Sequence, residues 1–410
     1  MQTDLAPWAQ QSPAGLEADA ILRKCVHCGF CTATCPTYQI LGDELDGPRG
    51  RIYLIKEVLE GAQPTRDTQL HLDRCLTCRN CETTCPSGVQ YGHLIDIGRQ
   101  LVDERVSRSW SDTWRRHALR ILLRPAIFAG AMKVGRWVKP LLPAGLSGKI
   151  LPVRPAGALP NASRHARQVW LLANCVQPAM MPAVDAATVR VLDRLGVGAG
   201  IAPRSGCCGA IDFHLGDTER AQAAMKRNID AWWPGLHSGE IEALVMNASG
   251  CGATVREYGH VLKDDADYAD KARYISDRVM DIGEYLQPHV PALLPMLHAD
   301  ARVMAFHPPC TLQHWQSLGV PTDQLLHQLG FMLRPFADRH LCCGSAGSYS
   351  ILQSELSTQL RERKLAAIGA AAPEVILSAN VGCIGHLQAG TAVPVMHWIE
   401  ALDQRLHALE

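Results

Sequence analysis

The sequence has no excess of either charge: forty Lys and Arg stand against forty Asp and Glu in 410 residues. A chain with no net field gives little electrostatic support to a nucleic-acid role. It has no apolar run of the eighteen or so residues that would span a bilayer, and "MQTDLAPWAQQSPAGLEADAILRK" lacks the apolar centre of a secretory signal. The expectation is a cytoplasmic protein, soluble or peripheral on the cytoplasmic face of the inner membrane. A nucleotide fingerprint is also missing. "GVGAGIA", from Gly196, has the glycines but follows a helical pattern rather than a strand, so no convincing flavin or nicotinamide site is present.

Cysteine, by contrast, is abundant. Sixteen are present, and they fall into four groups of four. Disulfides are rare in a reducing compartment, and the spacings are those of metal ligands rather than of a scattered bridge framework. Cys25, Cys28, Cys31 and Cys35 stand at C-x2-C-x2-C-x3-C-P, and Cys75, Cys78, Cys81 and Cys85 repeat that spacing before Pro86. This is the bacterial ferredoxin signature, in which the fourth cysteine ligates the other cluster. Three cysteines of one loop wrap three corners of a cubane, and the fourth, at the start of the next helical turn, points away. Cys25, Cys28, Cys31 and Cys85 are thus expected to hold one 4Fe-4S cluster, and Cys75, Cys78, Cys81 and Cys35 a second. Structural zinc favours separated C-x2-C pairs or Cys/His mixtures, a poorer match. His27, inside the first loop, reads as a hydrogen-bond donor beside the cluster or as a surface residue.

Between the runs, "DELDGPRGRIYLIKEVLEG" predicts an amphipathic helix with Ile52, Leu54, Ile55, Val58 and Leu59 on or near one face. It would pack on the cluster domain or offer a charged docking edge. Residues 100–168 contain no cysteine. There "WRRHALRILLRPAIFAGAMKVGRWVKPLLPAGL" is basic and apolar, broken by Pro125, Pro140 and Pro143; it reads as linking helices over a core or as a peripheral membrane contact. "LPVRPAGALPNASRHAR" reads as a proline-rich linker.

The rest of the chain is a duplication. "VWLLANC" ends in Cys175 and thirty-one residues separate it from Cys207 and Cys208; "VMAFHPPC" ends in Cys310, with the same separation from Cys342 and Cys343. Cys251 and Cys383 each follow a further apolar run, and roughly 135 residues separate equivalent points. The short apolar runs 169–173, 242–246, 303–306 and 374–377 read as buried parallel strands alternating with helices. Open α/β sheets place ligands at the carboxyl ends of their strands, where these cysteines fall. Four from separate loops could converge in each module on a metal or redox site; the alternative is that they are small buried hydrophobes.

These motifs, with "DELDGPRGRIYLIK" and "FHPPCTLQH", resemble the iron–sulfur subunits of glycolate oxidase over nearly the whole chain. More widely they resemble the cysteine-rich CCG subunits of heterodisulfide reductases and anaerobic glycerol-3-phosphate dehydrogenase. The resemblance implies a complex with an FAD subunit that oxidises glycolate to glyoxylate and with a second flavoprotein-like subunit. The wider family ends each module with C-x2-C, whereas Thr254 and His386 stand in the last places here. A five-cysteine disulfide-reducing site therefore cannot be assembled. Four cysteines would still suffice for one further cluster per module, with His386 as an extra ligand.

The expected architecture is α+β and multidomain. A helical two-cluster ferredoxin-type domain spans 1–105, a basic helical linker 106–167, and two duplicated α/β CCG modules 168–298 and 299–410. Iron–sulfur clusters pass single electrons, so a flavin on a partner must bridge the two-electron chemistry. The chain is expected to be an electron-transfer subunit of an oxidoreductase, not catalytic alone, delivering electrons to a quinone or another acceptor. The alternatives are a lactate or glycerol-3-phosphate dehydrogenase complex, or a thiol/disulfide enzyme of the heterodisulfide-reductase type.

Overall fold

The computed structural model describes residues 1–141, 153–161 and 165–407. The chain forms two compact units: Met1–Ala118 with His340–Lys364, and Leu119–Arg339 with Leu365–Glu410.

The first unit is helical. Helices Pro13–Lys24, Pro48–Leu59 and Tyr91–Arg105 pack their apolar faces together through Ile21, Leu22, Ile52, Ile55, Leu59, Leu94, Ile95 and Val102, all buried. Each such side chain removed from water contributes about 1.5–3 kcal/mol. The helix expected between the cysteine runs is Pro48–Leu59, and its inward face is Ile52, Ile55, Val58 and Leu59 with Leu54 half-buried at the margin. Pro48 occupies the first turn, where its missing N–H costs nothing.

Gly98 allows a close approach, since a Cβ there would meet the Ile55 side chain. At Gly50 a Cβ would run into the Glu44 carbonyl, which is backbone and cannot swing aside. Gly50→Ala is therefore expected to destabilise the unit by about 1–3 kcal/mol. The check is a lowered thermal midpoint with the iron content per folded molecule unchanged.

The second unit holds both parallel sheets. Strands β1 (Arg167–Leu171), β2 (Val197–Ile201), β3 (Ala243–Met246) and β4 (Val279–Asp281) are ordered β2-β1-β3-β4. Strands β5 (Val303–Phe306), β6 (Met332–Leu333), β7 (Val375–Ser378) and β8 (Val395–His397) are ordered β6-β5-β7-β8. All pairings are parallel, so the duplication read from the cysteines is a duplication of topology. The four apolar runs became β1, β3, β5 and β7. β2, β4, β6 and β8 were not anticipated. The glycines of "GVGAGIA" lie in and beside β2, paired with β1, rather than in a phosphate loop.

In the basic stretch, Trp110–Leu122 and Pro125–Val138 are helices and Lys139–Leu141 is a single tighter turn. Pro125 starts the second helix and Pro140 lies in the turn. Pro143, residues 142–152 and residues 162–164 of the linker lie outside the described residues. Among the described residues no helix is long and apolar enough to cross a membrane.

Candidate metal centres

The two ferredoxin-type loops share a backbone geometry. In the first, His27 and Gly29 have φ of 56° and 83°; in the second, Thr77 and Arg79 have φ of 51° and 58°. Alternating into the left-handed region turns successive N–H groups toward one concavity, the kind of nest that holds anionic groups and iron–sulfur clusters. Glycine takes that conformation freely in the first loop, whereas Arg79 does so against its preference. His27 itself is exposed.

The eight cysteines line two pockets. Cys25, Cys28, Cys31 and Cys85 line the first, with Phe30, Ile52 and Val89 among its apolar walls. Cys35, Cys75, Cys78 and Cys81 line the second, with Pro36, Leu76 and Arg51. Each fourth cysteine thus sits with the other run's first three. Cys81, Pro48 and Tyr91 line both pockets, so the two share a wall.

Local structure explains Cys35. It is the residue before helix Pro36–Leu41, extended at φ −82° and ψ 114°, and Pro36 locks the first helical turn. The side chain is thereby directed away from its own loop.

Burial raises three of these thiols. Burial first, then negative charge at Cys25, pushes Cys31 up to about 11. Burial also raises Cys35, against the pull of Arg51, and raises Cys81 with help from Cys78 and Cys75. Four thiolates in so little space need cationic compensation, which a metal centre supplies, and metal binding displaces the protons. Donor set, spacing and concave backbone fit two 4Fe-4S clusters.

Several polar residues at the second pocket were not singled out from sequence. Arg51, 1% exposed, reaches Thr37 Oγ1 with both terminal nitrogens at 3.3 Å and donates through Nε to the His71 carbonyl at 2.7 Å. Thr37 Oγ1 lies 3.3 Å from Cys35 Sγ. Buried Asp46 pairs with Arg51 at 3.4 Å and Arg74 at 2.8 Å, which leaves two guanidinium groups against one carboxylate near the pocket. The Thr77 N–H and the Tyr91 hydroxyl donate to Cys75 Sγ at 3.4 and 3.6 Å. Burial, then charge at Cys75, holds Tyr91 well above its ordinary value, so it stays a donor. The only hint in the sequence was a second arginine in "GPRGRIYLI" at a position on the apolar face.

In the second unit the first CCG module brings Cys175, Cys207, Cys208 and Cys251 together. Cys207 hydrogen-bonds with Cys175 and Cys208, and Cys208 also with Cys251. Cys207 is pulled down by these bonds, while Cys175 and Cys208 are raised by them and by burial. Cys175 and Cys207–Cys208 sit in the loops after β1 and β2, and Cys251 in the first turn of helix Ser249–Arg256 after β3. Buried Asn228 holds the vicinal pair, accepting from Gly206 N–H at 2.7 Å and donating to the Cys207 carbonyl at 2.9 Å. Tyr258 donates to the Cys208 carbonyl at 2.8 Å. Thr254, in the place of the absent cysteine, donates its hydroxyl to the Gly250 carbonyl at 2.9 Å.

Of the second module's cysteines, Cys342 and Cys343 belong to the first unit, and Cys310 and Cys383 to the second. In the first unit, Tyr349 donates to the Arg74 carbonyl at 3.2 Å and Asn80 to the His340 carbonyl at 3.2 Å, tying the segment to the ferredoxin-type loops. In the second, a ring nitrogen of buried His307 lies within 4.8 Å of Cys383 Sγ, a neighbour the motif "FHPPC" contained but the sequence reading passed over. His386 is half-buried in helix Val381–Gln388.

Residues 21–89 match the 4Fe-4S dicluster domain family, and residues 169–256 and 304–388 each match the cysteine-rich domain family. The chain is 51% identical over 408 residues to the glycolate oxidase iron-sulfur subunit of Escherichia coli K12, covering 99% of both chains. This chain belongs to the glycolate oxidase iron–sulfur subunit family. A second relative, the probable glycolate oxidase iron-sulfur subunit of Bacillus subtilis 168, is 30% identical over 402 residues, 90% of this chain and 89% of that one. Lactate utilization protein A of Bacillus velezensis is 30% identical over 248 residues, covering 58% of this chain and 100% of its own length. The lactate-linked proteins therefore match only part of the chain, which favours the glycolate assignment. The family and the domain content, one dicluster domain and two cysteine-rich domains, agree with the resemblance read from the motifs.

Proposed function

We propose that this chain is the electron-transfer subunit of a glycolate-oxidising complex. It would accept electrons from an FAD subunit that converts glycolate to glyoxylate and deliver them to a quinone or other acceptor that is not oxygen. The observation that carries this reading is the pair of adjacent four-cysteine pockets, each completed by the other run. Cys25, Cys28, Cys31 and Cys85 would hold one 4Fe-4S cluster and Cys35, Cys75, Cys78 and Cys81 the other, each supplying a one-electron step. The chain's own residues fix the sulfurs, exclude water with Ile52, Val89 and Leu76, and place donors on Cys75. A second flavoprotein-like subunit completes the proposed complex.

The converged Cys175, Cys207, Cys208 and Cys251 are suited to a further cluster. Without a fifth cysteine in either module, disulfide reduction is not proposed.

Anaerobically purified full-length chain should carry about eight iron atoms at the ferredoxin-type cysteines. Their reduced form should show interacting paramagnets by electron paramagnetic resonance. Cys175→Ser with Cys251→Ser should remove about four more iron atoms if the first CCG module is loaded, leaving that signal unchanged. The chain alone should not oxidise glycolate, and an FAD protein should co-purify with it. Zinc in place of iron, after preparation with ample iron, would overturn the reading.

A further inference from the structure

The helix Pro125–Val138 has no fully buried residue, yet its sides are unequal. Phe128, Ala129, Met132, Gly135 and Arg136 are half-buried, and the helix packs on Gln177–Met180, with Arg136 donating to the Ala179 carbonyl at 2.5 Å. The opposite side is Ile127, Gly130, Ala131, Val134 and Trp137, continued by Leu141 in the following turn. At 3.6 residues per turn these positions form one stripe. It is apolar throughout and open: Ile127 is 42% exposed, Val134 61%, Trp137 84% and Leu141 85%. Exposed Arg124 borders the stripe on one side and exposed Lys133 on the other.

Charge indicates what covers it. Between Asp112 and Asp185 there is no acidic residue, while there are eleven Lys and Arg, in a chain that is balanced as a whole. A protein partner would have to offer an acidic rim around an apolar groove. A bilayer with anionic lipid offers acidic headgroups above apolar chains without further design. Cations flanking an apolar stripe that carries a tryptophan match such an interface, with the aromatic ring at headgroup depth and the basic side chains reaching phosphate.

We propose that the helix Pro125–Val138 lies in the plane of an anionic phospholipid surface, with Ile127, Val134, Trp137 and Leu141 inserted and Arg124 and Lys133 on phosphate. This deepens the proposed function by naming the surface at which a lipid-soluble acceptor is met. It rests on that reading only there, because the surface itself is tested without glycolate or partner.

The probe is co-sedimentation of the purified full chain with vesicles of phosphatidylcholine alone or mixed with phosphatidylglycerol. Wild type should bind the mixed vesicles, and added salt should weaken binding by screening. Val134→Gln with Trp137→Gln should lower partitioning by about tenfold or more on either vesicle. Arg124→Gln with Lys133→Gln should lose a similar factor on the mixed vesicles only. All four side chains are exposed, so unchanged iron content and thermal midpoint confirm a retained fold. Absence of wild-type binding, or variants that bind like wild type, would overturn the proposal. So would variants that keep vesicle binding but release the flavoprotein, which would make the stripe a protein interface.

Discussion

Cys28→Ser combined with Cys78→Ser, placed in the assembled complex, is expected to leave flavin reduction by glycolate intact while acceptor turnover collapses. The two positions suit this test because they remove one sulfur from each pocket at its most accessible edge. Cys28 is exposed and Cys78 half-buried, whereas Cys25, Cys35, Cys75 and Cys81 are buried. Changes to groups that merely hydrogen-bond a metal ligand cost roughly 10- to 100-fold. Loss of a ligand itself should exceed that. Hydride transfer from glycolate needs only the partner's flavin and its own acid and base groups, so the first half-reaction survives. Stopped-flow bleaching of the FAD beside steady-state quinone or dye reduction separates the two. Unchanged turnover would place these pockets off the electron path, and the proposed function would fall with them.

How much of this was legible depended on the kind of signal. The ferredoxin-type loops were readable because three ligands of one centre must come from one short loop, which fixes spacing in sequence. The α/β duplication was readable from the repeated cysteines together with β3, β5 and β7, which are buried at nearly every position and so appear as continuous apolar runs. Edge strands carry less of that signal. β2 is glycine-rich, and β6 has only two residues. β4 and β8 are three residues each, but their surroundings held a repeat that was overlooked. "VMDIGE" and "VMHWIE" end in Glu284 and Glu400, and Asp281 and His397 start capping boxes closed by those glutamates.

Long-range polar partners were the least legible. Arg51 sits on the buried face of an amphipathic helix because Asp46, Thr37 and the His71 carbonyl receive it, and those lie 5, 14 and 20 residues away. Asn228 is similar: on an apolar face beside Ala224, Met225 and Ile229, it is explained by the Gly206–Cys207 backbone it holds and the Tyr258 hydroxyl it meets. No periodicity foretells which distant carbonyl will need a donor. The membership of His340–Lys364 in the first unit is equally non-local, decided by packing of Tyr349 and Asn80 rather than by chain order.

The crossing of ligands gives the sharpest second result. Cys35→Ser is expected to remove the same cluster as Cys78→Ser, although Cys35 is in the same run as Cys28; Cys85→Ser is expected to match Cys28→Ser. The reason is geometric. Cys35 precedes a proline-started helix and faces Cys75, Cys78 and Cys81 across the second pocket, and Cys85 lines the first with Cys25, Cys28 and Cys31. Serine keeps the size but is a poor ligand for iron beside thiolates, so each single variant should lose about half of the ferredoxin-type iron. Four single variants, each analysed for iron and by electron paramagnetic resonance under reduction, give four spectra. Under the crossed arrangement they fall into two matching pairs, Cys35 with Cys78 and Cys85 with Cys28, and the spin–spin interaction is lost in all four. Thr37 offers an internal control, because its hydroxyl touches Cys35 and no cysteine of the first pocket. Thr37→Val should therefore perturb the spectrum of the second cluster and leave the first unchanged. If Cys35→Ser instead paired with Cys28→Ser, each run would be holding its own cluster, and the shared wall of Cys81, Pro48 and Tyr91 would divide two independent sites rather than join two interlocked ones.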